Sequence, residues 1–467
     1  MVSSNLLKKT KTIKAIFSFS NIEKKEFDLK INTDSRKFQK NETFVGLVGE
    51  SFDGYSYLEN VLNLEAKAVV VTYSKERESF LRDLSFFYPN VVFVLVSDTL
   101  KFIQELASLH IRDWQKKDKK RVVIGVTGSN GKTTHKEMIY HLLNSALPNK
   151  VLATSGNLNN HIGVPLTIFR LTPKHQVAII EMGMSNPGEI KVLCDIAMPD
   201  AGMITNIGAA HIEFLKSMEN IFKEKGTLYR SVMKKTSGKG KFVVNADDEY
   251  LRKLPRTKGL LTYGEMHGDV RVQIKSPLIS FTFGGKEMFI TNKNIFEHHN
   301  LKNLVGTALF ALSLFPEKTR QILEAAQKYQ QPSMNRSQWS DNIFLDAYNA
   351  NPSSMRVSLN SFVSILKEKN VSLDDCYFVL GDMNELGDHA EKMHKEIAQH
   401  LIELGIKHVS FIGRYKEFYK AGYESPESSY LKKEDFYEEW KAIRKKYKYI
   451  FIKASRSLQL ETLMGIF

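Results

Sequence analysis

Val122-Val123-Ile124-Gly125-Val126-Thr127-Gly128-Ser129-Asn130-Gly131-Lys132-Thr133-Thr134 decides the fold. The apolar run Val122 to Val126 suits a parallel strand covered on both faces, and the next segment, His135 to Leu143, carries Met138, Ile139, Leu142 and Leu143 at helical spacing. The glycine turn therefore sits at a helix N-terminus. First-turn amides and the positive end of the helix dipole favour phosphate there. Gly128 and Gly131 let the backbone close around an anion, Lys132 adds a point charge and Thr133 offers a hydroxyl to Mg2+, with Ser129, Asn130 and Thr134 completing the loop. The pattern predicts binding of a nucleotide triphosphate. The usual form has a glycine five residues before the Gly-Lys pair, but position 126 is Val and the nearest glycine is Gly128, so this loop is shortened.

The chain has 467 residues, too many for one ordinary core, and predicts two or three domains. Its net charge of +14 suits nucleic acid and equally suits clefts for polyanionic small molecules. The densest basic runs, Lys116 to Arg121 and Arg444-Lys445-Lys446, read as a linker and a solvated helix face with no nucleic-acid module around them. No nucleic-acid partner is expected. Cys194 and Cys376 lie far apart without metal-ligand spacing and read as free thiols in a reducing compartment, which points to the cytoplasm. Met1 to Asn21 lacks the apolar core of a secretory signal, and no apolar run approaches the roughly 20 residues of a membrane span.

Short apolar strands such as Ala68 to Thr72 and Val91 to Val96 alternate with helical stretches, predicting a first α/β domain over 1–117. A helix from about Thr99 to Trp114 and a lysine-rich linker from Gln115 to Lys120 lead to a second domain over 118–330. There Val177 to Ile180, Ala201 to Thr205 and Phe242 to Asn245 read as further strands of a parallel sheet with crossover helices. Helices about Asn300 to Leu314 and Lys318 to Tyr329 close it, and Gln330-Gln331-Pro332-Ser333 marks the break. A third α/β domain, 331–467, repeats the alternation through Ile343 to Asp346, Tyr377 to Leu380, Val409 to Gly413 and Tyr449 to Lys453.

Glu181 ends the apolar strand Ala178-Ile179-Ile180, and His211 follows the next strand shortly after Thr205-Asn206-Ile207-Gly208. Ligands sit at the carboxyl ends of strands in open α/β sheets, so Thr133, Glu181 and His211 become candidate Mg2+ ligands near the phosphates.

Together, Thr-Gly-x-Asn-Gly-Lys-Thr-Thr, Glu-Met-Gly and Thr-Asn-Ile-Gly-x-x-His resemble the Mur ligase family, ATP-dependent amide-forming enzymes of peptidoglycan synthesis. Thr33-Asp34-Ser35-Arg36, Gly156-Asn157-Leu158-Asn159-Asn160-His161, Asn186-Pro187-Gly188-Glu189, Tyr348-Asn349-Ala350-Asn351-Pro352 and Leu380-Gly381-Asp382-Met383-x-Glu385-Leu386-Gly387 extend the resemblance along all three domains. It implies a central parallel-sheet P-loop ATPase domain flanked by two smaller α/β domains. It also implies a monomer with ATP and Mg2+ as cofactors, joining D-alanyl-D-alanine to UDP-N-acetylmuramoyl-tripeptide through an acyl phosphate. The rivals are a sibling ligase adding the third amino acid, a folylpolyglutamate synthase and a non-ligating nucleotide-binding protein. The asparagine-rich segment and Tyr-Asn-Ala-Asn-Pro argue against the first two, and the lack of a guanine-reading Asn-Lys-x-Asp counts against a GTPase switch.

The resemblance also implies residue roles. Ser35 and Arg36 match contacts to the uridine diphosphate, and Asn157, Asn159 and Asn160 match contacts to the sugar-peptide. Lys225 matches a lysine that is carbamylated to bind a second Mg2+. His299, Asn300 and Asn303 match the segment contacting adenine, Arg336 the γ-phosphate contact, and Asp346 the contact to ribose or cation. Tyr348 and Asn349 lie where the third domain meets the nucleotide and substrate, and Lys453, Ser455 and Arg456 match a basic motif near the dipeptide carboxylate. Three positions depart from the family pattern: Leu345 replaces an acid, Ala454 a glycine and Ala209 a proline. Sites split over three domains further imply closure of the third onto ATP.

Overall fold

The computed structural model describes residues 2–330, 338–423, 428–430 and 432–465. Three large sheets follow one another along the chain, and a two-stranded pair, Val2–Ser3 with Asp28–Leu29, stands apart from them. The first has the order Ile13–Phe17, Val92–Val96, Ala68–Thr72, Thr43–Val45, Ile31–Asn32, parallel except for its first strand. The third runs Gln338–Ser340, Ile343–Asp346, Tyr449–Lys453, Cys376–Gly381, Val409–Ile412, Ser428–Tyr430, with only Gln338–Ser340 antiparallel.

The central sheet positions the site. Its strand Val122–Thr127 lies between Val177–Glu181 and Ala201–Ile204, all parallel, so the three segments that follow these strands emerge on one edge. The strands are buried along almost their whole length because helices cover both faces, which is why their sequences are continuous rather than alternating apolar runs.

The parallel central sheet expected from the sequence carries an antiparallel extension at one edge. Beyond Leu260–Gly264 and Val270–Lys275 the sheet continues into the antiparallel strands Leu278–Phe283 and Lys286–Thr291. Val270 and Val272 face inward while Arg271 and Gln273 face solvent, the alternation of a half-covered sheet. The last hairpin turns through Gly284 and Gly285, both at positive φ, as a tight right-twisting turn requires.

The stretch Gln115 to Lys120 begins inside a helix that is anchored on the central unit. The helix Thr99–Lys116 buries Phe102, Ile103, Leu106, Ala107, Ile111 and Trp114 and packs against Gly163–Phe169 and Glu189–Ala197 of the central unit. Each large apolar side chain stabilises this docking by about 2 kcal/mol. Trp114 Nε1 donates to the Thr172 carbonyl (3.1 Å), Gln115 Nε2 donates to Asp200 Oδ2 (2.6 Å), and the Arg121 guanidinium lies 5.1 Å from the Trp114 ring.

Cys194 and Cys376 are free and buried, and burial pushes both thiols up to about 12, so they pack as protonated hydrophobes. No described helix is long and apolar enough to cross a membrane.

Burial also pushes His110, His135, His299 and His394 down to about 4, so all four fold as neutral rings. An unfolded histidine titrates near 6.5, so between pH 6.5 and 4 the unfolded chain binds protons that the folded chain does not. The stabilisation is complete above 6.5 and fades as pH falls toward 4, by about 2 kcal/mol per histidine at pH 5. The urea midpoint is therefore expected to drop between pH 7.5 and 5.0; an unchanged midpoint refutes the neutral assignment.

Candidate active site

The shortened loop is braced by the segment after the neighbouring strand. Ser129 N donates to the Asn206 carbonyl (3.0 Å), Asn130 N to Asn206 Oδ1 (2.8 Å) and Thr205 Oγ1 to the Asn130 carbonyl (2.5 Å). Ser129 Oγ exchanges hydrogen bonds with the Gly208 backbone at 2.8 Å. A Cβ on Gly128 would stand 1.8 Å from Thr205 Oγ1, so only glycine fits where the two segments touch. Gly131 at φ +72 turns the chain into the helix Lys132–Ala146, whose first-turn amides have no intrahelical acceptor. Lys132 folds back, its Nζ 2.8 Å from the Gly128 carbonyl and 3.2 Å from that of Ser129.

Beside the loop, Glu181 is buried at its strand end. Its Oε1 accepts from Asn159 Nδ2 (2.8 Å) and Thr133 Oγ1 (3.2 Å), while Oε2 is buried without a hydrogen-bond partner. A buried, orphaned carboxylate oxygen next to a threonine hydroxyl is a donor set for a hard divalent cation. Among the described residues no three His, Cys, Asp or Glu side chains converge on a metal position.

His211 lines the same cleft. Its Nδ1 lies 2.5 Å from Glu385 Oε2 of the third sheet's unit, close in distance but bent away from a straight hydrogen bond. The adjacent His211 ring holds the Glu385 carboxyl below the usual range despite its partial burial.

The third unit touches the phosphate loop directly. Asn130 Nδ2 donates to Ser353 Oγ (2.7 Å), and Asn351 Nδ2 donates to Asn130 Oδ1 (2.6 Å). Asn351 also caps the helix Pro352–Glu368, with Pro352 at its first position. Asp346 and Lys453 stand opposite each other on adjacent parallel strands and pair at 2.6 Å, with Ser358 Oγ donating to the same carboxylate oxygen (2.6 Å). Lys453 Nζ also donates to the Asn349 carbonyl (3.0 Å), so its ammonium is engaged within the protein.

One cleft of about 730 Å3 unites most of the expected residues: Ser129 to Thr134, Asn157, Asn159, Asn160, Glu181, His211, His299, Asn300, Asn303, Asp346, Tyr348, Asn349 and Lys453. Asn160 Oδ1 is spent on turn chemistry, accepting from Ile162 N and Gly163 N, and Asn159 holds Glu181. His299 Nδ1 lies 3.0 Å from Ser361 Oγ of the third unit.

The remaining expected residues lie off this lining. Ser35 opens a short turn in which the Asp34 carboxylate holds the exposed Arg36 guanidinium at 2.8 and 3.0 Å. Lys225 is buried behind the loop, where burial and the nearby Lys132 hold its amine well below the lysine range. Ser455 anchors a neighbouring loop through Asn384 N (3.0 Å), and Arg456 pairs with Glu461. Arg336 lies outside the described residues.

Three contributors lacked assigned roles in the sequence: Asn206, which splints the loop, Ser353, and Glu385. Asn206 and Glu385 stood inside motifs visible in the sequence and Ser353 directly after one, but only spatial proximity gives each a partner.

The profile of the Mur ligase middle domain matches residues 126–311. A UDP-N-acetylmuramoyl-tripeptide–D-alanyl-D-alanine ligase of Bacillus subtilis (strain 168) is 33% identical over 452 residues, covering 93% of this chain and 92% of its own. The crystal structure of MurF from Acinetobacter baumannii superposes with a TM-score of 0.79 at 25% identity, covering 94% of this chain and 93% of that one. MurF ligase from Thermotoga maritima in complex with ADP has the same fold, with a TM-score of 0.75 at 23% identity over 94% of this chain and 96% of that one.

Proposed function

The chain belongs to the Mur ligase family, and from that premise we propose that it joins D-alanyl-D-alanine to UDP-N-acetylmuramoyl-tripeptide while converting ATP to ADP and phosphate. The observation that carries the reading is the shared cleft. A helix-capped phosphate loop, an orphaned carboxylate and residues of the third unit face one space in a single chain.

In this reading the tripeptide carboxylate attacks the γ-phosphorus, ADP leaves and an acyl phosphate remains. The amine of D-alanyl-D-alanine then attacks the acyl carbon and phosphate departs as the amide forms. The first step brings two anions together. Lys132 and the first-turn amides of the helix oppose that repulsion, and Lys132 swings from the Gly128 carbonyl to the phosphates to do so. Thr133 and Glu181 would hold Mg2+, which when bound neutralises charge on the phosphate oxygens. His211 and Lys225 are assigned to the same end of the cleft. His299, Asn300 and Asn303 take the adenine side, Asp346 the ribose side, and Arg336 the γ-phosphate. The ADP bound in the Thermotoga maritima protein is consistent with this nucleotide site. Ser35 and Arg36 receive the uridine diphosphate, Asn157 the sugar-peptide, and Tyr348, Asn349 and the Lys453-Ser455-Arg456 strand end the dipeptide side. We place the reaction in the cytoplasm, where free thiols persist.

Phosphate release from ATP is expected to require both UDP-N-acetylmuramoyl-tripeptide and D-alanyl-D-alanine in a coupled assay. ATP hydrolysis indifferent to either substrate defeats the ligase reading.

A further inference from the structure

Two non-glycine residues in the left-handed backbone region meet across the boundary between the central and third units: His211 and Glu385, each at φ +61. That conformation is costly for side-chain-bearing residues and persists only where the surroundings impose it.

The surroundings of Glu385 are unusually complete. The Asp382 carboxylate accepts from Arg414 N (3.0 Å) and Tyr415 N (2.9 Å), and its carbonyl accepts from Ser455 N (3.0 Å). Met383 N donates to Nε2 of the buried His394 (3.1 Å), whose Nδ1 is committed to the Ala390 carbonyl (2.7 Å). Asn384 donates from N to Ser455 Oγ (3.0 Å) and from Nδ2 to Ser457 Oγ (2.9 Å). Three consecutive residues are thus fixed by three other segments, and the fourth is delivered to the boundary. There the Glu385 carbonyl accepts from Glu213 N (3.3 Å) and its carboxylate reaches His211 Nδ1 (2.5 Å). Gly387 lets the chains approach this closely, since a Cβ there would stand 2.8 Å from Glu213 Cγ.

We propose that Glu385 is a positioning residue: from the third unit it sets the ring orientation and tautomer of His211 in the central-unit site. A carboxylate at Nδ1 keeps the proton there and leaves Nε2 as the nitrogen available to a cation or phosphoryl oxygen in the cleft that His211 lines. The site is then complete only when the third unit is docked. This inference rests on the ligase reading of the cleft.

Full-length protein labelled with 15N-histidine tests it, with His211 assigned by loss of its signals in His211→Gln. Wild type should show the Nδ1–H tautomer, Glu385→Ala should lose that preference, and the near-isosteric Glu385→Gln should keep part of it. In Glu385→Ala, kcat should fall by about 10–100-fold and the Mg2+ concentration for half-maximal rate should rise by about 10-fold. KM for the UDP-tripeptide should stay within about twofold, because the substituted group acts through His211. The double variant should be no slower than His211→Gln alone. An unchanged His211 spectrum in Glu385→Ala, or rate losses that multiply in the double variant, overturns the proposal. A wild-type protein that shows the tautomer shift on substitution but ligates nothing would instead overturn the function.

Discussion

Lys132→Ala is expected to lower kcat for ligation by at least about 10³-fold while leaving binding of UDP-N-acetylmuramoyl-tripeptide, read by calorimetry, within about twofold of wild type. The asymmetry follows from where the charge sits. The Lys132 ammonium rests on the carbonyls of Gly128 and Ser129, at the mouth of a helix whose first-turn amides face the same cleft. A carboxylate attacking a polyphosphate adds negative charge to a site already crowded with it, and the energy of that approach falls on this cation. Ser35 and Arg36 lie outside the cleft lining, so the uridine end of the substrate is out of the lysine's reach. Lys132→Arg should rescue poorly, since a planar guanidinium cannot take the folded-back position of a compact ammonium. Retention of a tenth of the activity in Lys132→Ala would remove the lysine from the chemistry. Loss of UDP-substrate binding would show that the two sites are one.

The central fold was legible because its determinants are local. The strand Val122–Thr127, the glycine turn and the helix Lys132–Ala146 are encoded in consecutive residues, and burial on both faces makes the flanking strands continuous apolar runs. The antiparallel hairpin was harder to read because Val270–Lys275 is half exposed and its alternation is interrupted by two turns. The helix Thr99–Lys116 ends in the lysine-rich stretch, and the partners that Trp114 and Gln115 find in the central unit lie too far away in sequence to be read from it.

The cleft shows the same division. Thr133, Glu181 and His211 could be proposed from strand ends, because topology alone gathers them on one edge. What each does in detail depends on partners far away in sequence: Asn159 takes one oxygen of Glu181 and leaves the other orphaned, and Asp346 engages Lys453 across the third sheet. Lys453 and Ser455 illustrate the limit most clearly. Adjacent members of one basic motif, they serve as a buried ion-pair partner and a loop anchor, roles fixed by packing rather than residue type.

Lys225→Ala is expected to cost about 10²-fold in kcat and to remove a carbamate signal that wild-type protein acquires in 13C-bicarbonate. Lys225 is almost wholly buried on the helix Met218–Lys235. A buried cation is expensive, and burial together with the positive charge of Lys132 drives the group toward the neutral amine. That is the nucleophilic form. Addition to carbon dioxide makes an N–C bond, releases one N–H proton to solvent and leaves a carbamate of charge −1 where an ammonium would carry +1. The same neighbour that destabilises the ammonium then attracts the product, so Lys132 favours modification on both counts. The carbamate oxygens would be a further donor set for a hard cation beside Thr133 and Glu181, one that an ammonium cannot provide. Lys225→Arg should fail like alanine, because a guanidinium stays protonated and cannot add carbon dioxide. Acidification should bleach the 13C signal together with activity as the amine is protonated. A signal that survives Lys225→Ala, or full activity in that variant, would return this lysine to a packing role.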